Sequence, residues 1–267
     1  MSKVVSPPTV DLSDPKDEAL TRAGYQEEAP APYSLEQRAL AEFVGTFTLI
    51  FIGAGSIIAA VAAHGGQGGA GLVTIAVAHG LAIAVMVSAV GHISGGHLNP
   101  AVTLAAMAVR KIHPRDGLIY LAAQLGGAIA GAAVLRAALP QSLWREANLG
   151  TPGLGGGVSA GQGALIEAVL AFFLIWVVFA TAVDPEGAFG KIAGLAIGFV
   201  VMMDIMMGGP FTGGAMNPAR FLGPALIGGY WNDAWVYFVG PITGGLLAAG
   251  AYGLFILPRH DVAQPSS

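Results

Sequence analysis

Long apolar runs separated by short polar interruptions organise this chain from about residue 38 to residue 257. A helix that crosses a bilayer needs about 20 mainly apolar residues. Six runs meet that length: roughly 38–63, 71–91, 115–138, 163–184, 188–208 and 233–256. Two shorter apolar stretches, about 99–109 and 217–228, reach only halfway across at ~1.5 Å per residue. Both begin at the same kind of interruption. The first reads Gly95-Gly96-His97-Leu98-Asn99-Pro100-Ala101, and the second Gly213-Gly214-Ala215-Met216-Asn217-Pro218-Ala219-Arg220. The pattern predicts an all-α integral membrane protein of six transmembrane helices and two re-entrant half-helices.

The pattern also repeats. Asn217 lies 118 positions after Asn99, and each follows the second long run of a three-run half. Glu42 opens the first run and Glu167 the fourth. Three spans per half is an odd number, so the halves, about 38–138 and 163–256, are inverted relative to each other in the membrane. Both half-helices then begin near the midplane. Arg110, Lys111, Arg115, Lys191 and Arg259 fall on one side with Lys3, Lys16, Arg22 and Arg38, and only Arg136 and Arg145 fall opposite. Excess Lys and Arg marks the cytoplasm, so both termini are expected there, with the cell membrane as the expected location.

Composition sharpens this reading. Charged residues make up 10% of the chain and apolar ones 54%, against about a quarter charged in soluble domains. The 40 glycines show no Gly-X-Y period and suit close helix packing in lipid. The absence of cysteine excludes disulfides, thiolate nucleophiles and Cys-ligated metals. A net charge of −4 argues against a nucleic-acid partner. No Ser/His/acid or metal-ligand spacing stands out, so neither catalysis nor a cofactor is expected. Residues 1–36, rich in Pro, Asp and Glu, predict a disordered cytoplasmic tail, and 258–267 a second polar tail.

Irregular backbone at membrane depth is tolerated only inside protein or beside water. The two glycine-rich loops therefore line a wet cavity. The backbone of Gly95, Gly96, His97, Gly213, Ala215 and Met216 is expected to offer carbonyls to a passing solute. Pro100 and Pro218 suit the first helical position. Asn99 and Asn217 suit the caps and keep amide donors for the cavity. Two half-helices meeting N-terminus to N-terminus place about half a positive charge each at the midpoint. That field repels cations. A water held by both amides turns its hydrogens away along the file, which suits water passage without a proton wire.

With its doubled Asn-Pro-Ala, six spans, "GHISGGHLNPAVT" and "GGAMNPARFLGP", residues 38–257 resemble the aquaporin/major intrinsic protein family. The resemblance implies a passive channel for water and small neutral solutes, one pore per subunit, and usually a homotetramer. It places a constriction at His79, Ile205, Gly214 and Arg220, a set similar to vacuolar-type plant members that also pass ammonia. It gives Glu42 and Glu167 a bracing task toward the loops, and Gln124 on the third span is expected to brace a loop as well. Tyr237 and Phe238 look like the aromatic pair of water-type members. Phe221 stands where glycerol facilitators carry Asp, which favours water over the alternative of a glycerol or urea facilitator. A coupled inverted-repeat transporter, the reading from another class, calls for acids in the broken loops, and neither loop has one. His97 is expected to line the cytoplasmic half or pin its loop, and Asp204 to bond the second loop.

Overall fold

The computed structural model describes residues 32–64, 69–187 and 192–257. The tails expected at 1–36 and 258–267 lie outside the described residues, except for 32–36. There Ser34 forms a capping box with Gln37, so the first helix starts at Leu35, inside the stretch expected to be tail. Ser34 Oγ accepts the Gln37 N–H and Gln37 Oε1 accepts the Ser34 N–H, which satisfies two donors at the helix start.

In chain order the long helices are α1 (Leu35–Thr48), continued by a π turn (Leu49–Ala54) and Gly55–His64, and α2 (Gly69–Ser94). The half-helix α3 (Pro100–Ala108) and the span α4 (Pro114–Ala138) complete the first half. A connecting segment carries the short α5 (Gln141–Glu146) and a 3-10 turn (Asn148–Gly150). The second half follows the same plan. It comprises α6 (Ala160–Val178) with a π turn (Phe179–Val183), α7 (Ala193–Thr212), half-helix α8 (Pro218–Gly228) and α9 (Val236–Phe255). Among the described residues, six helices are long and apolar enough to cross a membrane.

Packing repeats as well. α1 lies against α4 and α6 against α9, while α2 meets α7 across the halves. Each half-helix packs on the last span of the other half, α3 on α9 and α8 on α4. This exchange brings the two half-helices together in the middle. The close crossings depend on glycine, since a Cβ on Gly131 would sit 2.9 Å from the Phe47 carbonyl oxygen. One on Gly194 would sit 2.8 Å from that of Ala84. Without a hydrophobic force between helices in lipid, such contact is the main source of association.

The largest boundary difference is at α7. The fifth run is expected to end at about residue 208, yet the helix continues through Pro210 to Thr212. Proline removes one N–H from the ladder, and in a bilayer neighbouring helices make that loss tolerable. The π turns in α1 and α6 and the helical content of the 139–162 connection have no sequence signature.

Candidate pore

Both re-entrant loops are built from one construction used twice. In the first, Glu42 is fully buried and accepts from Ser94 Oγ (2.6 Å) and from the backbone N–H groups of His97 (2.9 Å) and Leu98 (2.7 Å). In the second, Glu167 accepts from Thr212 Oγ1 (2.6 Å) and from the N–H groups of Ala215 (2.9 Å) and Met216 (2.7 Å). The hydroxyls of Ser94 and Thr212 in turn accept from the N–H groups of Gly96 and Gly214. Tyr120 and Tyr237 donate to the carbonyls of Ser94 and Thr212. Glu42 and Glu167 thus satisfy loop donors that no helix or sheet could reach.

The loops also hold each other. Asn99 Nδ2 donates to the Met216 carbonyl (2.9 Å) and Asn217 Nδ2 to that of Leu98 (3.0 Å). Leu98 and Met216 have φ of 50° and 52°, the left-handed region, which costs a non-glycine residue on the order of 1–3 kcal/mol. Each is clamped on both sides, its N–H by the carboxylate of its own half and its C=O by the asparagine of the other. Asn99 Oδ1 accepts from Ala101 N–H and Asn217 Oδ1 from Ala219 N–H, so both asparagines cap their half-helices. Pro100 and Pro218 take the first helical positions. This corrects one expectation. Two loop carbonyls are engaged by the opposite loop, and each amide NH2 keeps one of its two hydrogens for the cavity.

One narrow cavity of ≈ 40 Å³, room for about three waters, runs along these elements. Its lining includes Asn99 and Asn217, together with Gly96, His97, Ala215 and Met216 of the loops. It also includes all four of His79, Ile205, Gly214 and Arg220. The carbonyls of Gly96, His97, Gly214 and Ala215 accept no hydrogen bond among the described residues. Gly95 and Gly213 do not line the cavity. With φ of 87° and 82° they turn the chain out of α2 and α7 into the loops, a conformation open to glycine without a Cβ penalty. Ala101 and Ala219 are buried in helix packing instead.

Arg220 is 2% exposed and divides its donors. Nε donates to His79 Nε2 (3.0 Å) and Nη1 to the Gly150 carbonyl (2.7 Å), while Nη2 has no partner among the described residues. His79 Nδ1 meets the Ile75 carbonyl at 2.9 Å. That pairing makes Nδ1 the protonated nitrogen and Nε2 the acceptor, a neutral ring with both nitrogens engaged. Gly53, in the π turn of α1, leaves room for the ring. A Cβ there would lie 2.6 Å from His79 Cδ2 and 2.7 Å from Nε2. Neither Gly53 nor the Gly150 carbonyl was identifiable from the sequence pattern.

The remaining expectations divide. Gln124 donates to Glu42 (2.7 Å) and Thr103 (2.9 Å). His97 both lines the cavity and bonds Thr103 through Nδ1 (3.0 Å). Asp204 is 1% exposed and makes no hydrogen bond to the second loop among the described residues. Phe221 is fully buried and stacks on Tyr237 at 4.6 Å, away from the cavity. It stands where Thr103 stands in the first half, four residues after the motif asparagine.

The profile of the Major intrinsic protein family matches residues 31–252. "Aquaporin TIP4-4" of Zea mays is 46% identical over 83% of this chain and 90% of its own length. "Probable aquaporin TIP3-2" of Arabidopsis thaliana is 43% identical over 91% and 94%. Among solved structures, the aquaglyceroporin from Plasmodium falciparum superposes with a TM-score of 0.72 at 25% identity, covering 84% of this chain and 97% of that one.

Proposed function

The chain belongs to the major intrinsic protein family, whose members are membrane channels and not enzymes, and on that premise we propose that its pathway is the cavity just described. It is a passive channel of the aquaporin type. The finer reading is that it passes water together with small neutral solutes such as ammonia, and turns back protons and ions. One observation carries this reading: the two cap asparagines, His79 and Arg220 all line a single narrow cavity. A water between the asparagines meets a free N–H from each side and presents its oxygen to both. Its own hydrogens then donate outward, toward loop carbonyls that have no other partner among the described residues. Arg220 adds a fixed cation and the unpartnered Nη2 donor.

His79 gives the constriction its solute preference. Its ring is tied back to Ile75 and Arg220, which draws the guanidinium toward the wall. Gly214 opposite adds no side chain. The opening is polar on one side and lined by Ile205 on the other, which suits a small neutral solute that donates or accepts one hydrogen bond. Vesicles carrying the protein should shrink faster than empty ones under an osmotic step and should also take up ammonia. His79→Phe should lower ammonia influx about tenfold, the worth of one hydrogen bond, with water flux changed far less. Gly53→Ala should shift the same ratio in the same direction by crowding the ring. Stopped-flow traces for water, ammonia and glycerol on one preparation decide the matter, and equal losses for all three solutes would remove His79 from solute selection.

The reading extends to placement. The protein is an integral membrane protein. Both termini are proposed to be cytoplasmic and the membrane to be the cell membrane, with a homotetramer as the assembly. The Lys and Arg bias supports the orientation. Exposed apolar side chains on α1, α2, α6 and α7 supply faces for a neighbour or lipid. Because the chain has no cysteine, one introduced at residue 3 is a unique label. It should react with an impermeant maleimide only after the cell is opened, and native mass in detergent should be four subunits.

A further inference from the structure

On the face away from the chain's start lies a second cavity, separate from the pore. Its volume is ≈ 350 Å³ and it is lined by Arg136, Trp144, Arg145, Asn148 and Gly228. None of these residues lines the pore. Arg38 pairs with Asp116 at the start of α4, whereas Arg136 sits in its last turn, about 30 Å along the helix. The cleft therefore opens at the opposite membrane surface. Trp231 and Trp235, half exposed at the approach to α9, lie near the same end, the level at which tryptophans meet headgroups.

Two features set this cleft apart. First, Arg136 and Arg145 are the two basic side chains that the sequence sends to that surface, and both converge on one ring. Their guanidinium carbons lie 5.2 and 5.4 Å from the centre of Trp144, which is 7% exposed, so they are at most 10.6 Å apart (5.2 + 5.4). Second, among the described residues no carboxylate pairs with them. Glu146 is next to Arg145 in sequence but does not line the cleft, and neither arginine has an ion-pair partner among the described residues. Arg136 Nη1 donates to the Ile227 carbonyl (2.8 Å). Gln141, its amide turned oxygen-inward, accepts from Arg145 Nη2 (2.8 Å). These bonds and the Trp144 ring hold both forks in place and leave further N–H groups on each. Two guanidiniums fixed around a polar cleft are suited to an oxyanion that bridges them.

We propose that this cleft binds a phosphate group. A phosphodiester headgroup of net negative charge, without the choline cation that neutralises phosphatidylcholine, and free inorganic phosphate share the chemistry. The test uses the purified full chain. Native mass spectrometry counts bound phosphatidylglycerol against phosphatidylcholine, and melting in detergent is followed with sodium phosphate against sodium chloride at equal ionic strength. Retention of phosphatidylglycerol over phosphatidylcholine without a phosphate-specific shift assigns a lipid headgroup, and a shift with inorganic phosphate assigns the free anion. In either case Arg136→Gln/Arg145→Gln should weaken binding about tenfold or more, the factor of a lost charge-assisted hydrogen bond. If that variant fails to fold, Arg145→Gln alone is read, since its side chain bonds only within α5. Binding undiminished in the folded variant, or no preference for either phosphate source in the native chain, overturns the proposal. Osmotic water flux of the variant should match the native chain, which separates this site from the pore.

Discussion

Glu42→Ala is expected to leave no folded channel. The carboxylate accepts from the Ser94 hydroxyl, the His97 and Leu98 N–H groups and Gln124 Nε2. All four partners are at membrane depth, where no solvent replaces a lost acceptor. Each orphaned donor costs about 1–3 kcal/mol, so the loss is roughly 4–12 kcal/mol, comparable to the whole stability of a typical domain. Leu98 is affected further, because its left-handed backbone is held on the N–H side by this carboxylate. Glu42→Gln keeps the shape but turns an NH2 toward donors, so it too should lose the bonds of one oxygen. Glu167→Ala should be milder, with three donors orphaned and no counterpart of Gln124. The measurement is yield and melting temperature of protein extracted in mild detergent. A Glu42→Ala protein that melts within a few degrees of the native chain and conducts water would show that the loops stand without this carboxylate.

Much of this architecture was legible because lipid makes sequence explicit. Six spans and two half-spans follow from run length, and the inverted halves follow from an odd number of spans per repeat. Asn99, Asn217, Glu42 and Glu167 were visible as polar residues where polar residues are costly. Ser94 and Thr212 were overlooked although they stand at one offset, five residues before each asparagine, so aligning the two halves would have exposed them. Gly150 could not be found that way. It contributes a backbone carbonyl from a turn with three successive positive φ values at Asn148, Leu149 and Gly150. Only the folded connection brings it to Arg220. Gly53 was hidden for a related reason: its value lies in the side chain it makes room for, on another helix. Backbone acceptors and missing side chains leave no mark in a pattern of apolar and polar positions.

Arg220→Ala should leave a channel that still conducts water but admits cations. A unit charge ~5 Å from a passing cation, at an effective dielectric of ~20, raises its energy by about 3 kcal/mol. Removing it should raise cation or hydronium passage on the order of a hundredfold. The half-helix N-termini remain, each with about half a charge, so exclusion should weaken rather than vanish. The substitution also frees His79 Nε2 and the Gly150 carbonyl, leaving two acceptors where donors had been. Both effects favour a cation. Arg220→Lys separates them, because it keeps the charge but cannot reproduce the fork that reaches His79 and Gly150 together. Cation exclusion should survive in Arg220→Lys, while the ratio of ammonia to water flux moves as His79 loosens. Vesicles loaded with a pH-sensitive dye, under a potassium gradient clamped by valinomycin, report the leak directly. A proton leak in Arg220→Ala vesicles equal to that of the native protein would move the whole barrier to the asparagine junction, and the guanidinium would then be an anchor for His79 and the 148–150 turn rather than a guard.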